Sequence, residues 1–146
     1  MAKTIAAIAT PHGVGGIGVV RLSGDRAVEI AQAVFRAADG SRLADLPGYT
    51  ARFGSVAQGE KAFDQAVALV FRAPRSYTGE DVVELSCHGG PILLQRLLRA
   101  ALAALSLPRS TFYDRLAAAS ASMSISIFSS KVNRSYDSSS TISRSL

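Results

Sequence analysis

Tryptophan is absent from the 146-residue chain, cysteine occurs once, and no glycine follows Gly90. With Cys87 alone, no intrachain disulfide can form, which fits a reducing compartment. His12 and His88 are the only histidines, and no second thiol is available for a zinc site, so no metal site is expected. No stretch matches G-x-x-x-x-G-K-[ST], so GTP binding through a phosphate-cradling loop is not expected. Long apolar runs are also missing. The first, around Ile5-Ala6-Ala7-Ile8-Ala9, stops at Pro11-His12-Gly13. That is too short for a secretory leader or a membrane span. These absences predict a cytoplasmic protein with no membrane partner.

What is present suffices for a core: 48% of the residues are hydrophobic. A domain of about 100 residues buries only about two-thirds of its unfolded surface, so dimerisation would help it. The net charge is +5 and the pI about 9.9, but the charge is uneven. Residues 1–104 hold eleven Lys/Arg against nine Asp/Glu, and residues 105–146 hold five against two. The first part is nearly balanced, so an anionic partner does not follow from the overall pI. Serine is likewise segregated, with five before residue 105 and fourteen after it. We therefore divide the chain into a domain over 1–104 and a serine-rich, low-complexity tail over 105–146. Within the tail, Met123–Phe128 alternates like a strand and Leu116–Ala119 suits a short helix.

In the first part, strand and helix signals alternate. Thr4–Thr10 and Ile17–Leu22 read as strands joined by the glycine-rich turn His12–Gly16. Asp25–Arg36 reads as a helix, with Ala27, Ile30, Ala31 and Val34 at helical spacing and Ser23 as its cap. Tyr49–Ala57 and Ala62–Phe71 read as a hairpin around Gln58-Gly59-Glu60-Lys61, and Val82–Cys87 as a further strand. Pro91–Leu105 reads as a helix with Pro91 in its first turn. The pattern predicts a single small α+β domain, its sheet antiparallel or mixed, with two main helices.

Several residues invite chemistry. Gly13-Val14-Gly15-Gly16-Ile17-Gly18 matches the dinucleotide pattern, but a strand signal follows it where that function needs a helix. It reads instead as a turn that lets backbone approach a neighbour closely. Arg21 is a charge in an apolar strand. It is either solvent-facing on an edge strand, or a clamp for Glu84 or for an anionic ligand. Glu84 shares a strand face with Val82 and Ser86, opposite Asp81, Val83 and Leu85. There it can pair with Arg21 or accept hydrogen bonds from a ring with paired N–H donors. The loop Ala73–Asp81 is rich in hydroxyls and acids and by itself reads as a solvated turn. Cys87 and His88 are adjacent in a strand, so they point to opposite faces. A buried thiol and a turn histidine are expected there, and no catalytic group.

Four segments in order and spacing carry a family resemblance: Ile5–Pro11, Gly15–Gly24, Pro74–Glu84 and Cys87–Pro91. Over residues 3 to about 104 the chain resembles the amino-terminal, folate-binding domain of the MnmE (TrmE) transfer-RNA modification GTPases. The resemblance implies a tetrahydrofolate-binding fold similar to that of the glycine-cleavage T-protein. It implies a homodimer that holds a one-carbon donor, 5-formyl- or 5,10-methylene-tetrahydrofolate, for modification of the wobble uridine of tRNA. Arg21 and Glu84 match the family's folate contacts. MnmG (GidA), a flavoprotein, and tRNA are the implied partners. GTP, potassium and magnesium belong to a separate GTPase domain of the full-length family protein.

After residue 104 the chain departs from the family pattern. An arginine-proline-glycine-glutamate-phenylalanine stretch and a later folate-contacting lysine are replaced by Leu107-Pro108-Arg109-Ser110-Thr111-Phe112. Three readings follow: a folate-binding, dimer-forming fragment of a tRNA-modifying GTPase, a dimerisation module without ligand, or a stand-alone one-carbon-transfer protein. In none of them is this chain alone expected to hydrolyse GTP.

Overall fold

The computed structural model describes residues 3–107. Most of the tail, with the strand and helix expected at 123–128 and 116–119, lies outside the described residues. Six strands form one sheet: β1 Ile5–Ile8, β2 Ile17–Ser23, β3 Phe35–Ala37, β4 Thr50–Gln58, β5 Lys61–Phe71 and β6 Val82–His88. Two α-helices, α1 Ala27–Val34 and α2 Pro91–Leu105, and a 3₁₀ turn at Leu43–Asp45 complete the order. The strands lie in the order β1-β2-β6-β5-β4-β3, and every neighbouring pair is antiparallel. This is the expected α+β class with an antiparallel sheet and two main helices.

Alternation decides which face is covered. In β2, Gly18, Val20 and Leu22 are buried, while Ile17 and Arg21 are exposed. In β6, Val83, Leu85 and Cys87 point the same way as those buried residues. Both helices lie on that side and touch each other there. Ile30, Ala31 and Val34 of α1, Leu94, Leu97 and Ala101 of α2, and Val20, Leu22, Val70 and Leu85 of the sheet are all buried. Fully burying one such aliphatic side chain stabilises by about 1.5–3 kcal/mol. Gly18 is small for a reason: a Cβ there would come within 2.5 Å of the Leu94 side chain. The sheet's other face carries no helix among the described residues.

Two local expectations change. The first helix spans only Ala27–Val34, because Phe35 leaves it at once, in extended conformation, to start β3. Phe35 is fully buried and pairs with Val56. Ser23 does not cap this helix, whose cap position is Arg26. The Arg26 amide instead donates to Thr4 Oγ1 at 2.9 Å, so the cap comes from the residue just before β1. Ser23 Oγ lies 2.8 Å from Thr78 Oγ1 and 3.1 Å from Glu80 Oε2.

The loop Ala73–Asp81 is mostly exposed, as expected of a solvated turn, and it is also fastened to its surroundings. At its base Arg72 donates to Asp81 Oδ2 at 2.9 Å and to the carbonyls of Leu43, Ala44 and Leu46. The Ala73 amide donates to the other Asp81 oxygen. At the end of α2, the Arg26 guanidinium donates to the carbonyls of Leu105 and Leu107, at 3.0 and 3.1 Å. The Leu105 carbonyl is one that a helix terminus leaves without an intrahelical partner. No described helix is long and apolar enough to cross a membrane.

Candidate functional site on the open sheet face

The face without helices is apolar for a surface. Ile5 on β1, Ile17 on β2, Val67 on β5 and Phe53 on β4 are all exposed there, by 40–69%. Exposed apolar area of this kind marks a place where something binds. Beside Ile17, Phe53 and Val67 lies a shallow recess of about 200 Å³, bounded also by Gln65, Ser86 and His88.

Arg21 and Glu84 sit within this face, directly opposite each other in the β2–β6 register. Strand β2 is not an edge strand, since β1 lies outside it. Thus Arg21 faces solvent, as one reading allowed, but from an inner strand and not an edge one, and it clamps Glu84. Its Nε donates to Glu84 Oε1 at 2.8 Å, and Nη2 lies 2.6 Å from the same oxygen. Both contacts converge on Oε1. The two side chains are 44% and 21% exposed, so solvent screens the pair and its contribution to stability is about 0–1 kcal/mol. Such a pair can exchange partners with an arriving ligand at low cost. Glu84 offers a carboxylate to N–H donors, and Arg21 offers a planar fork to an acceptor.

The glycine-rich turn leads into β2 and not into a helix, so it provides no phosphate site of the dinucleotide kind. Its close approach is real at one point: a Cβ on Gly89 would lie 2.3 Å from the Gly15 carbonyl oxygen. Cys87 is buried and His88 exposed, as expected of neighbours on a strand. Burial, aided by the nearby Asp64 charge, pushes the Cys87 thiol up to about 11. At neutral pH it is a protonated thiol and a poor nucleophile.

One pairing escaped the sequence reading. Asp64 accepts from the His88 amide at 3.0 Å and lies 2.7 Å from the ring nitrogen Nδ1. Burial pulls the Asp64 carboxyl upward, but the His88 amide and ring and the Gln65 amide outweigh it. The group is held below its ordinary value of 3.8. The available signal was an acid in a strand between Phe63 and Gln65, with no partner in its own segment.

Comparison with known proteins places the chain in a family. The sequence profile described as "GTP-binding protein TrmE N-terminus" matches residues 4–120. A tRNA modification GTPase MnmE of Chlorobaculum tepidum is 54% identical over 99 residues, 67% of this chain and 21% of that protein. The corresponding protein of Christiangramia forsetii is 48% identical over 96 residues, 66% of this chain and 20% of its own length. That of Geobacillus kaustophilus is 47% identical over 102 residues, 68% and 22%. The chain thus spans about a fifth of the length of the curated relatives it matches. With an antiparallel sheet, two helices and a family match over most of its length, the chain belongs to the TrmE amino-terminal domain family.

Proposed function

We propose that this chain is the folate-binding and dimer-forming part of a tRNA modification GTPase of the MnmE type. In this reading the open sheet face holds a tetrahydrofolate one-carbon donor. Glu84 accepts hydrogen bonds from the pterin amino and ring N–H groups, and Arg21 orients the ligand by charge or hydrogen bonding. The observation that carries the reading is the Arg21–Glu84 pair, half-exposed on an uncovered apolar sheet face. Apolar surface around it supplies a bed for a flat ring, and a second copy of the chain would cover what the ligand leaves exposed. The tRNA, the MnmG (GidA) flavoprotein and the GTPase cycle with its magnesium and potassium belong to the complete assembly, in the cytoplasm.

Equilibrium dialysis with 5-formyltetrahydrofolate tests the reading, with parent, Glu84→Gln and Arg21→Ala chains compared and folding checked in each. A charge-assisted hydrogen bond is worth about 1.5–3 kcal/mol. Glu84→Gln should therefore weaken binding by about tenfold or more. Equal binding by parent and both variants would refute the assignment.

A second reading, a dimerisation module without ligand, draws on the fact that Arg21 and Glu84 already satisfy each other. Self-association in sedimentation without folate binding would favour it.

A further inference from the structure

We propose that His88, oriented by Asp64, is a second polar anchor that holds the acidic end of an elongated ligand whose other end sits at Arg21 and Glu84. This rests on the folate reading above and adds a contact for the ligand's carboxylate-bearing tail. Three observations converge on it.

The first is the state of the histidine. Asp64 is only 11% exposed and takes both the amide and the Nδ1 of His88, while the histidine side chain is 73% exposed. Nδ1 is occupied, so Nε2 is the ring's remaining polar atom. With both ring nitrogens carrying a proton, Nδ1–H is held by Asp64 and Nε2–H can donate to a second carboxylate. The charged neighbours are few. Asp64 comes from β5, the adjoining Cys87 is a neutral thiol, and Ile17, opposite on β2, carries no charge.

The second observation is spacing. His88 lies four residues beyond Glu84 on β6, at the same alternation, which sets the two about 13 Å apart along the strand. A ligand anchored at both must therefore be long, polar at each end and flat between. The third is what lies beside the histidine: the shallow recess bounded by Ile17, Phe53 and Val67, an apolar bed for the middle of such a ligand.

A merely structural pair would tie the end of β6 to β5 and have no preference among ligands. The two roles are separated by comparing 5-formyltetrahydrofolate with its glutamyl dimethyl ester, which differs only in the two tail carboxylates. Both are titrated by equilibrium dialysis against the 146-residue chain and its His88→Ala, His88→Gln and Asp64→Asn variants, with folding checked by circular dichroism. The parent should prefer the free acid about tenfold. His88→Ala should abolish that preference and leave affinity for the ester unchanged. His88→Gln, with a neutral donor, should keep part of the preference, and Asp64→Asn should reduce it. A preference that persists unchanged in His88→Ala and His88→Gln would overturn the anchor while leaving the folate reading intact. Failure of the parent to bind the free acid would overturn both.

Discussion

Replacing Gly54 by alanine should cost this domain much of its stability, and the reason lies in one close approach. Gly54 is in the middle of β4, paired with Ala37 on one side and Ala66 on the other. A Cβ built there would come within 2.0 Å of the Arg36 carbonyl oxygen and 2.7 Å of Phe35 Cζ. The first obstacle is backbone, and the second belongs to a ring with no exposed surface. Neither can rotate out of the way, so β3 must move and Phe35 must leave its site in part. Overpacking of a core typically costs about 1–3 kcal/mol, and a backbone obstacle places Gly54→Ala near the top of that range. For a domain of this size, about 2–3 kcal/mol corresponds to a fall of roughly 10–20 °C in melting temperature. Gly16→Ala is the control, because a Cβ there meets nothing within 4 Å and the residue has no positive φ. Thermal and urea unfolding of the two variants and the parent provide the assay. A Gly54→Ala melting temperature within about 3 °C of the control would refute the packing of β3 against β4 described above.

Leu97→Ala, which empties a fully buried site on α2, should destabilise by about 2–5 kcal/mol in urea unfolding. Glu84→Gln should change stability by no more than about 1 kcal/mol, since the pair it breaks is partly solvated; a loss in folate binding can then be read without a folding correction. Iodoacetamide should label Cys87 slowly at pH 8 in the folded chain and quickly in urea, because the thiol is buried and its pKa is raised to about 11; the native rate should climb as pH approaches that value. Asp64 has a lowered folded pKa, so its contribution is present above the unfolded carboxylate range and is lost as pH falls through the folded value. Asp64→Asn should accordingly flatten the acid limb of a stability–pH curve below about pH 4.

Local pattern explains which parts of the fold were legible. The α2 helix runs from Pro91 to Leu105 as its periodicity indicated, because helix signals are carried within one segment. The alternation of β6 likewise placed Glu84 on the face away from Val83 and Leu85. What failed depended on distant partners. Helix α1 continues into β3 without a glycine or proline to mark the change. Phe35 extends an apolar pattern that suits either state, and only pairing with Val56 decides it. Ser23 has the composition of a cap, yet residues 55 and 57 positions further on claim its hydroxyl. Thr4, from outside the helix's own segment, does the capping. In the candidate site, Arg21 and Glu84 could be named singly, and their pairing was only one of the readings open for each. Asp64 and His88 are 24 residues apart. Their meeting depends on the pairing of β5 with β6, which the sequence between them does not spell out. No local periodicity encodes that.

The grip of Arg26 on the carbonyls of Leu105 and Leu107 gives the described chain a fixed point of departure. Arg26 sits at the start of α1, and Leu105 ends α2, so the departure is on the helical layer, with the sheet between it and the Arg21–Glu84 pair. For protein engineering, residue 107 is thus an attachment point of known address. A fluorophore or fusion partner joined there starts on the side away from the open face, where it can report on occupancy of that face without standing on it. Arg26→Ala would release this mooring, and a fluorophore at position 107 should then lose its steady-state anisotropy even though the sheet and its charged pair are untouched.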